Sequence, residues 1–216
     1  FVACGMIPGF SQSAGVGWAL ADWILEGEPP VDMMPLDVSR FGEWTTKGYT
    51  LAKTAENYGK RFAISYPAEE RPAGRPLKTP PIYDLLQAEG AVFGASFGFE
   101  RPLWFARDGE EARDILTFRR PNWFAAVRRE CQALRTSVGM IEISSFAKYE
   151  ITGPDAEAFL DRVLACKLPK KAGRTVLAPM LNNNGGIIGD FTVTRISDTN
   201  FYMVGAGAAE RFHLRR

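Results

Sequence analysis

The stretch Arg174-Thr-Val-Leu-Ala-Pro-Met-Leu-Asn182-Asn-Asn-Gly-Gly-Ile187-Ile-Gly-Asp190-Phe-Thr-Val-Thr-Arg-Ile196-Ser-Asp198-Thr-Asn200-Phe-Tyr-Met-Val204 decides the fold. Three runs, 174–181, 187–196 and 201–204, alternate apolar and polar residues, and two clusters of Asn, Asp and Gly separate them. Side chains on a strand point to opposite faces in turn, and Asn-Gly-Gly accepts the tight conformations that reverse a chain, so the stretch predicts an antiparallel hairpin that continues into a third strand. Upstream, Gly153-Pro154 marks a turn and Asp155 to Cys166 has helical spacing. Met140 to Gly153 reads as strand, and Asn122 to Gly139 keeps apolar positions 123, 124, 127, 131, 134 and 138 on one helical face. Downstream, Ala206 to Arg216 starts a further helical segment. The fold class is α+β.

The first half is more broken. Phe1-Val-Ala-Cys-Gly5 reads as the end of a buried strand. A Gly/Ser loop follows to Gly17, with a helix that starts near Gly15 and stops at Gly27. Residues 28–48, with Pro29, Pro30 and Pro35, make a linker. Tyr49 to Tyr66 is expected as a helix running into a short strand, Phe62-Ala-Ile-Ser-Tyr66. The prolines of 71–81 then force an extended path. Ile82 to Gly90 reads as a short helix, and Ala91 to Glu100 as one strand with Phe93, Phe97 and Phe99 on one side. The charges crowded at Arg107 to Asp114 mark a solvated connection, and a domain boundary is expected near 107–120.

Composition excludes several function classes. With 26 Lys+Arg against 25 Asp+Glu there is no basic surplus to displace counterions, so no nucleic-acid partner is expected. Each apolar run is interrupted well short of a bilayer span, and Phe1 to Gly5 has no basic n-region, so neither a membrane segment nor a signal peptide is expected. Cys4, Cys131 and Cys166 are odd in number and far apart, which fits buried thiols in a reducing compartment. The single histidine, His213, stands near the end of the chain. No His triad or His-based zinc site is available, and no metal is expected. The apolar opening and the abrupt end of the last helical segment are expected of an internal piece of a longer chain.

Two places carry chemistry. The predicted helix N-terminus at Gly15 and Gly17 would aim free N–H groups and the positive end of the dipole at an electron-rich ligand atom. The same residues serve equally well as a bare strand-to-helix turn. Asp190 follows the Gly185-Gly186 turn, where backbone can approach a ligand closely; the alternative is a solvated carboxylate beside a turn.

Three blocks resemble one family. Cys4-Gly-Met-Ile-Pro-Gly9 to Trp23-Ile, with Gly27-Glu-Pro-Pro and Leu36-Asp37-Val-Ser-Arg40-Phe41, is similar to the last FAD-contacting segment of amine oxidases related to D-amino acid oxidase. Glu70-Arg71-Pro-Ala-Gly74-Arg75-Pro, Pro81-Ile-Tyr83-Asp84 and Phe97-Gly98-Phe99-Glu100-Arg101-Pro102-Leu-Trp104-Phe105 resemble the connecting domain of dimethylglycine and sarcosine dehydrogenases. Arg120-Pro121-Asn122-Trp123-Phe124, Ser144 to Tyr149, Gly153-Pro154-Asp155-Ala156 and Met180-Leu181-Asn182 to Gly185-Gly186-Ile187-x-x-Asp190 resemble the start of their folate-binding domain, shared with the glycine-cleavage aminomethyltransferase.

The resemblance implies three parts: residues 1–30 ending an FAD-dependent oxidoreductase domain, 31–106 a connecting domain, and 107–216 the first part of an aminomethyltransferase-like domain. It implies FAD and tetrahydrofolate as cofactors, an N-methyl amino acid as substrate and an electron-transfer flavoprotein as partner. The setting it implies is a bacterial cytoplasm or a mitochondrial matrix. Met6, Ile7, Pro8 and Gly9 would lie against the flavin ring, with Gly15 and Gly17 donating to its pyrimidine edge. Met180 and Asn182 would line the folate pocket, and Asp190 would be the carboxylate that orients folate and assists attack by its nitrogen. Arg71, Arg75 and Arg101 are expected to tie loops together. The family's Gly-x-Gly-x-x-Gly segment is missing from these residues, so the chain alone is expected to be inactive. Other readings are a regulatory homologue of the pyruvate dehydrogenase phosphatase subunit type and an aminomethyltransferase, in which residues 1–105 have no place.

Overall fold

In the computed structural model, which describes residues 1–215, the elements run in the order α1 (Gly9–Glu26), α2 (Lys47–Gly59), α3 (Tyr83–Ala88), β1 (Ala91–Ser96), β2 (Phe99–Phe105), α4 (Trp123–Thr136), β3 (Ala147–Thr152), α5 (Ala156–Val163), β4 (Thr175–Leu181), β5 (Ile187–Ser197), β6 (Asn200–Gly205) and α6 (Glu210–His213). Single 3-10 turns occupy Met34–Leu36, Val38–Arg40 and Gly207–Ala209. The mixture of helix and antiparallel sheet is the expected α+β class. Contacts divide it into two units, one of Phe1–Arg40 with the residues from Ala147 onward, the other Phe41–Phe146.

In the first unit four strands lie in the order β3-β6-β5-β4, each antiparallel to its neighbours. Alternation puts Phe191, Val193 and Arg195 of β5, Phe201 and Met203 of β6, and Ala178 and Met180 of β4 on one face. α5 covers that face with Ala156 and Leu160, one helical turn apart, and Leu164 and Leu168 complete the core. Each fully buried Leu, Phe or Val contributes about 1.5–3 kcal/mol by leaving water. α5 ends at Val163, three residues before the expected Cys166, because Leu164 turns extended and the Ala165 N–H donates to the Pro179 carbonyl at 2.8 Å. Arg195 is tolerated inside because it is fully engaged. Its Nε donates to the Pro169 carbonyl at 2.6 Å, its Nη2 meets Glu157 at 2.5 Å, and its guanidinium lies 4.7 Å from the Phe201 ring centroid.

In the second unit β1 and β2 form a hairpin under α4, with Val92, Trp104 and Ala126 as its core. The single strand expected over 91–100 is in fact two. Ser96 pairs with Phe99, and the two residues between them, Phe97 at φ 49° and Gly98 at φ 80°, both take the left-handed region that a type I′ turn requires. Arg75 joins the loop of 70–76 to the hairpin: it grips Glu100 with Nε at 2.8 Å and Nη2 at 2.6 Å, and donates to the Phe93 carbonyl at 2.9 Å. Arg71 likewise reaches Ser65 Oγ at 2.9 Å. These two arginines are loop ties, as expected of them.

Other expectations change. α1 starts at Gly9, not near Gly15, because nothing between these residues forbids a helix, and the Gly cost of about 1 kcal/mol is met by the added turns of hydrogen bonds. Gly27 closes it in the left-handed conformation, donating to the Trp23 carbonyl at 3.0 Å. Phe1 to Gly5, Phe62 to Tyr66 and Met140 to Phe146 form no strand. No neighbouring strand takes up their N–H and C=O groups, and their large apolar residues are exposed, Phe62 at 92% and Met140 at 90%. The strand expected from 140 is confined to 147–152, where β6 provides the partner.

A Cβ added at Gly205 would stand 2.5 Å from Phe191 Cδ1, whereas one added at Gly17 in α1 meets nothing within 4 Å. Gly205→Ala is therefore expected to lower stability by about 1–3 kcal/mol through overpacking, and Gly17→Ala to raise it by roughly 0.5–1 kcal/mol. Urea unfolding of both variants beside the parent checks the contrast.

Candidate functional site

The β4–β5 connection is built by one side chain. Asn182 Oδ1 accepts the Gly186 N–H at 2.7 Å and the Asn184 N–H at 3.1 Å, while the Asn182 N–H donates to the Gly186 carbonyl at 2.9 Å. Gly185 takes φ 80°, a value open to glycine at little cost. Beyond this turn the ladder slips: Met180 faces Gly189 and Leu181 faces Ile187, so Ile188 is an extra residue, a bulge. Asp190 comes two residues later, opposite Pro179, on the outer face of the sheet. Its carboxylate is exposed and makes no hydrogen bond or ion pair among the described residues.

α6 packs beside the bulge. His213 Nε2 lies 3.0 Å from the Ile188 carbonyl, and its ring meets Phe191 edge-on with centroids 4.7 Å apart. α6 is itself tied down twice. The Tyr149 hydroxyl donates to the Glu210 carbonyl at 3.2 Å, and Arg215 Nη1 donates to Asp37 Oδ1 at 2.8 Å. Burial pushes the Tyr149 phenol up to about 12, with Glu210 adding to the shift. Burial also acts to raise the Asp37 carboxyl, but the Ser39 N–H at 2.7 Å, the Ser39 hydroxyl and Arg215 together outweigh it and hold Asp37 below the usual range.

Between the linker and the hairpin end lies a cleft of about 390 Å³ lined by Trp23, Glu28, Met33, Met34, Asn182, Ile188 and Phe212, among others. Glu28 accepts the Asn183 N–H at 3.2 Å and so joins its two sides. Of the residues singled out in the sequence, Asn182 lines this cleft. Met180 is in the core at 6% exposure and Asp190 is on the opposite sheet face, so the three do not converge. Met6 to Pro8 precede α1 and Gly9 opens it, whereas Gly15 and Gly17 sit inside the helix, their N–H groups within its ladder. The free donors are those of the first turn. Pro8 supplies no capping side chain, the turn has no acidic residue, and a Cβ at Gly9 would meet nothing within 4 Å. Such an end, with free N–H groups and no acidic side chain, can receive an electron-rich ligand edge. At the hairpin end Asp190 offers an accessible carboxylate, a group able to hold a ring nitrogen by a hydrogen bond. Among the described residues no group of three or more His, Cys, Asp or Glu is placed to hold a metal ion, and no helix is long and apolar enough to cross a membrane.

Sequence reasoning passed over His213, which an isolated position near the chain end gives no reason to connect with Asp190. It also missed Gly189 and Gly205, which only the packing of β5 against β6 brings onto Phe191.

Residues 82–216 match the family described as the GCVT N-terminal domain, and residues 26–79 match the FAD dependent oxidoreductase central domain. Dimethylglycine dehydrogenase, mitochondrial, of Rattus norvegicus is 38% identical over 216 residues, 100% of this chain and 25% of that protein. The pyruvate dehydrogenase phosphatase regulatory subunit, mitochondrial, of Mus musculus is 32% identical over 94% of this chain and 24% of its own length. The crystal structure of glycine cleavage system aminomethyltransferase T from Bartonella henselae superposes with a TM-score of 0.52 at 26% identity, covering 64% of this chain and 34% of that one. The chain thus spans about a quarter of the length of the curated relatives it matches.

Asp37 has a lowered folded-state value, so its contribution to stability is present above the unfolded value of about 3.9 and is lost as pH falls through the folded one. Asp37→Asn is expected to flatten the decline of stability below pH about 4, measured by urea unfolding at a series of pH values.

Proposed function

The chain belongs to the family of the dimethylglycine and sarcosine dehydrogenases, in which an FAD dependent oxidoreductase central domain precedes a GCVT N-terminal domain; on that premise we propose that it serves the FAD-dependent oxidation of an N-methyl amino acid, dimethylglycine or sarcosine, with transfer of the one-carbon unit to tetrahydrofolate. The observation that carries the reading is the 38% identity to a dimethylglycine dehydrogenase along all 216 residues. The activity belongs to a protein of the relatives' full length, and the 216 residues alone are inactive. An electron-transfer flavoprotein takes the electrons, and the compartment is a mitochondrial matrix or a bacterial cytoplasm.

When bound, FAD supplies the two-electron oxidation of the N-methyl carbon, and tetrahydrofolate receives that carbon. The chain contributes positions and protons. Met6, Ile7, Pro8 and Gly9 would hold the flavin, and the first-turn N–H groups of α1 would offer donors to its electron-rich edge. Gly15 and Gly17 would leave room on α1 for the flavin to approach at two positions. On the folate side Asp190 would be the working carboxylate, able to hold the folate nitrogen by a hydrogen bond and to take its proton. Asn182 and Met180 act beneath it, one holding the turn and the other filling the core under β4.

The test is anaerobic titration of the full-length protein with dimethylglycine and then sarcosine, following visible absorption. Bleaching of a flavin band is expected. A protein that carries no flavin, and takes up none when FAD is supplied, supports the regulatory reading that the 32% identity to a phosphatase subunit keeps open. Asp190→Asn is expected to leave the bleaching intact while lowering folate-dependent capture of the one-carbon unit about 100-fold or more, with formaldehyde released instead.

A further inference from the structure

We infer that His213 is a positioning residue for Asp190, a role that rests on the reading of Asp190 as the working carboxylate. The need for such a residue follows from where the ladder stops. β5 pairs with β6 only from Thr192 onward, so residues 187–191 extend past it and are held on one side alone, by the edge strand β4. Opposite Asp190 that strand places Pro179 in a pair that exchanges no hydrogen bond, since the Pro179 carbonyl turns outward to the Ala165 N–H at 2.8 Å. The backbone N–H and C=O of Asp190 therefore face the side where β6 has stopped, on a two-stranded extension next to a bulge. Two-stranded ribbons are marginal by themselves.

His213 provides the missing restraint from outside the sheet. A carbonyl only accepts hydrogen bonds, so the contact to Ile188 O requires the proton on Nε2. The bond thus takes up the carbonyl of the bulged residue itself. The ring also lies directly on Gly189, where an added Cβ would be 2.7 Å from Nε2, and against the edge of Phe191. Residues 188, 189 and 191 are all touched by this one ring, and Asp190 is the residue between them. With Tyr149 on Glu210 and Asp37 on Arg215 holding α6, the imidazole is a fixed point against which the Asp190 segment is set.

Two variants of the full-length protein separate this role from bulk packing. His213→Phe keeps an aromatic ring without the donor, and His213→Gln restores an N–H at similar reach. His213→Phe is expected to retain amine oxidation while folate-dependent capture falls about tenfold or more, as misplacement of a reacting group does. His213→Gln is expected to recover capture to within about twofold of the parent. Unchanged capture in His213→Phe, beside lost capture in Asp190→Asn, overturns the inference. So does a parallel fall of oxidation and capture that His213→Gln does not repair. If Asp190→Asn keeps capture, the functional reading of Asp190 is what fails, and the restraint is judged by amide hydrogen exchange. Faster exchange at Gly189 and Asp190 relative to Val193 in His213→Phe sustains it, and equal exchange refutes it.

Discussion

Phe191 can sit where it does only because two residues have no side chain. Its ring fills the space that a Cβ at Gly189 or Gly205 would claim, and it is 2% exposed. From that position it meets Tyr149 on β3 and His213 on α6, with centroids 6.2 Å and 4.7 Å away, so one ring links an outer strand, the central hairpin and the last helix. The rest of the first unit follows from this packing. Val193 and Arg195 are directed inward by the same alternation, α5 closes over them, and Asp190 and Thr192 are left facing out.

Half-buried Arg75 and buried Arg195 show how one residue type serves different structural ends. Arg75 is a clamp between distant segments, its fork matched to the planar carboxylate of Glu100, which is 2% exposed. Arg195 instead ends a strand's inward stripe, spreading its donors over a backbone carbonyl and two carboxylates at the rim. In both cases a charge inside the protein is acceptable because every direction of the guanidinium meets an acceptor or an aromatic face. Removing either partner would strand the other charge, which is why such pairs specify a conformation more than they add stability.

How far the sequence could be read depended on whether the signal was local. The strands and turns from Arg174 to Val204 were legible, because alternation and Asn-Gly-Gly chemistry reside in the residues themselves. The helices α2, α4 and α5 were legible from their period, and Gly27 from its place at a helix end. Phe62 to Tyr66 and Met140 to Phe146 have strand composition too, yet a strand exists only where another supplies hydrogen bonds, and that partner is invisible to a window of five residues. Phe97-Gly98 hid a reversal because Phe is an uncommon occupant of a left-handed turn position. For the candidate site, Asp190 stood out through its Gly-Gly neighbour. The bulge at Ile188 and the imidazole on it arise from register and tertiary packing, which leave no mark on spacing.

Pro179 has a further consequence at the outer margin of the sheet. β4 is an edge strand with Leu177 and Leu181 exposed, and on its outer flank the Pro179 carbonyl is already taken by the Ala165 N–H. A proline in the middle of that flank breaks the row of donors that a docking strand would need to follow, while the core beneath is untouched because a margin tolerates the loss. The same outward-facing nitrogen that costs the β4–β5 ladder nothing therefore protects the sheet against runaway growth.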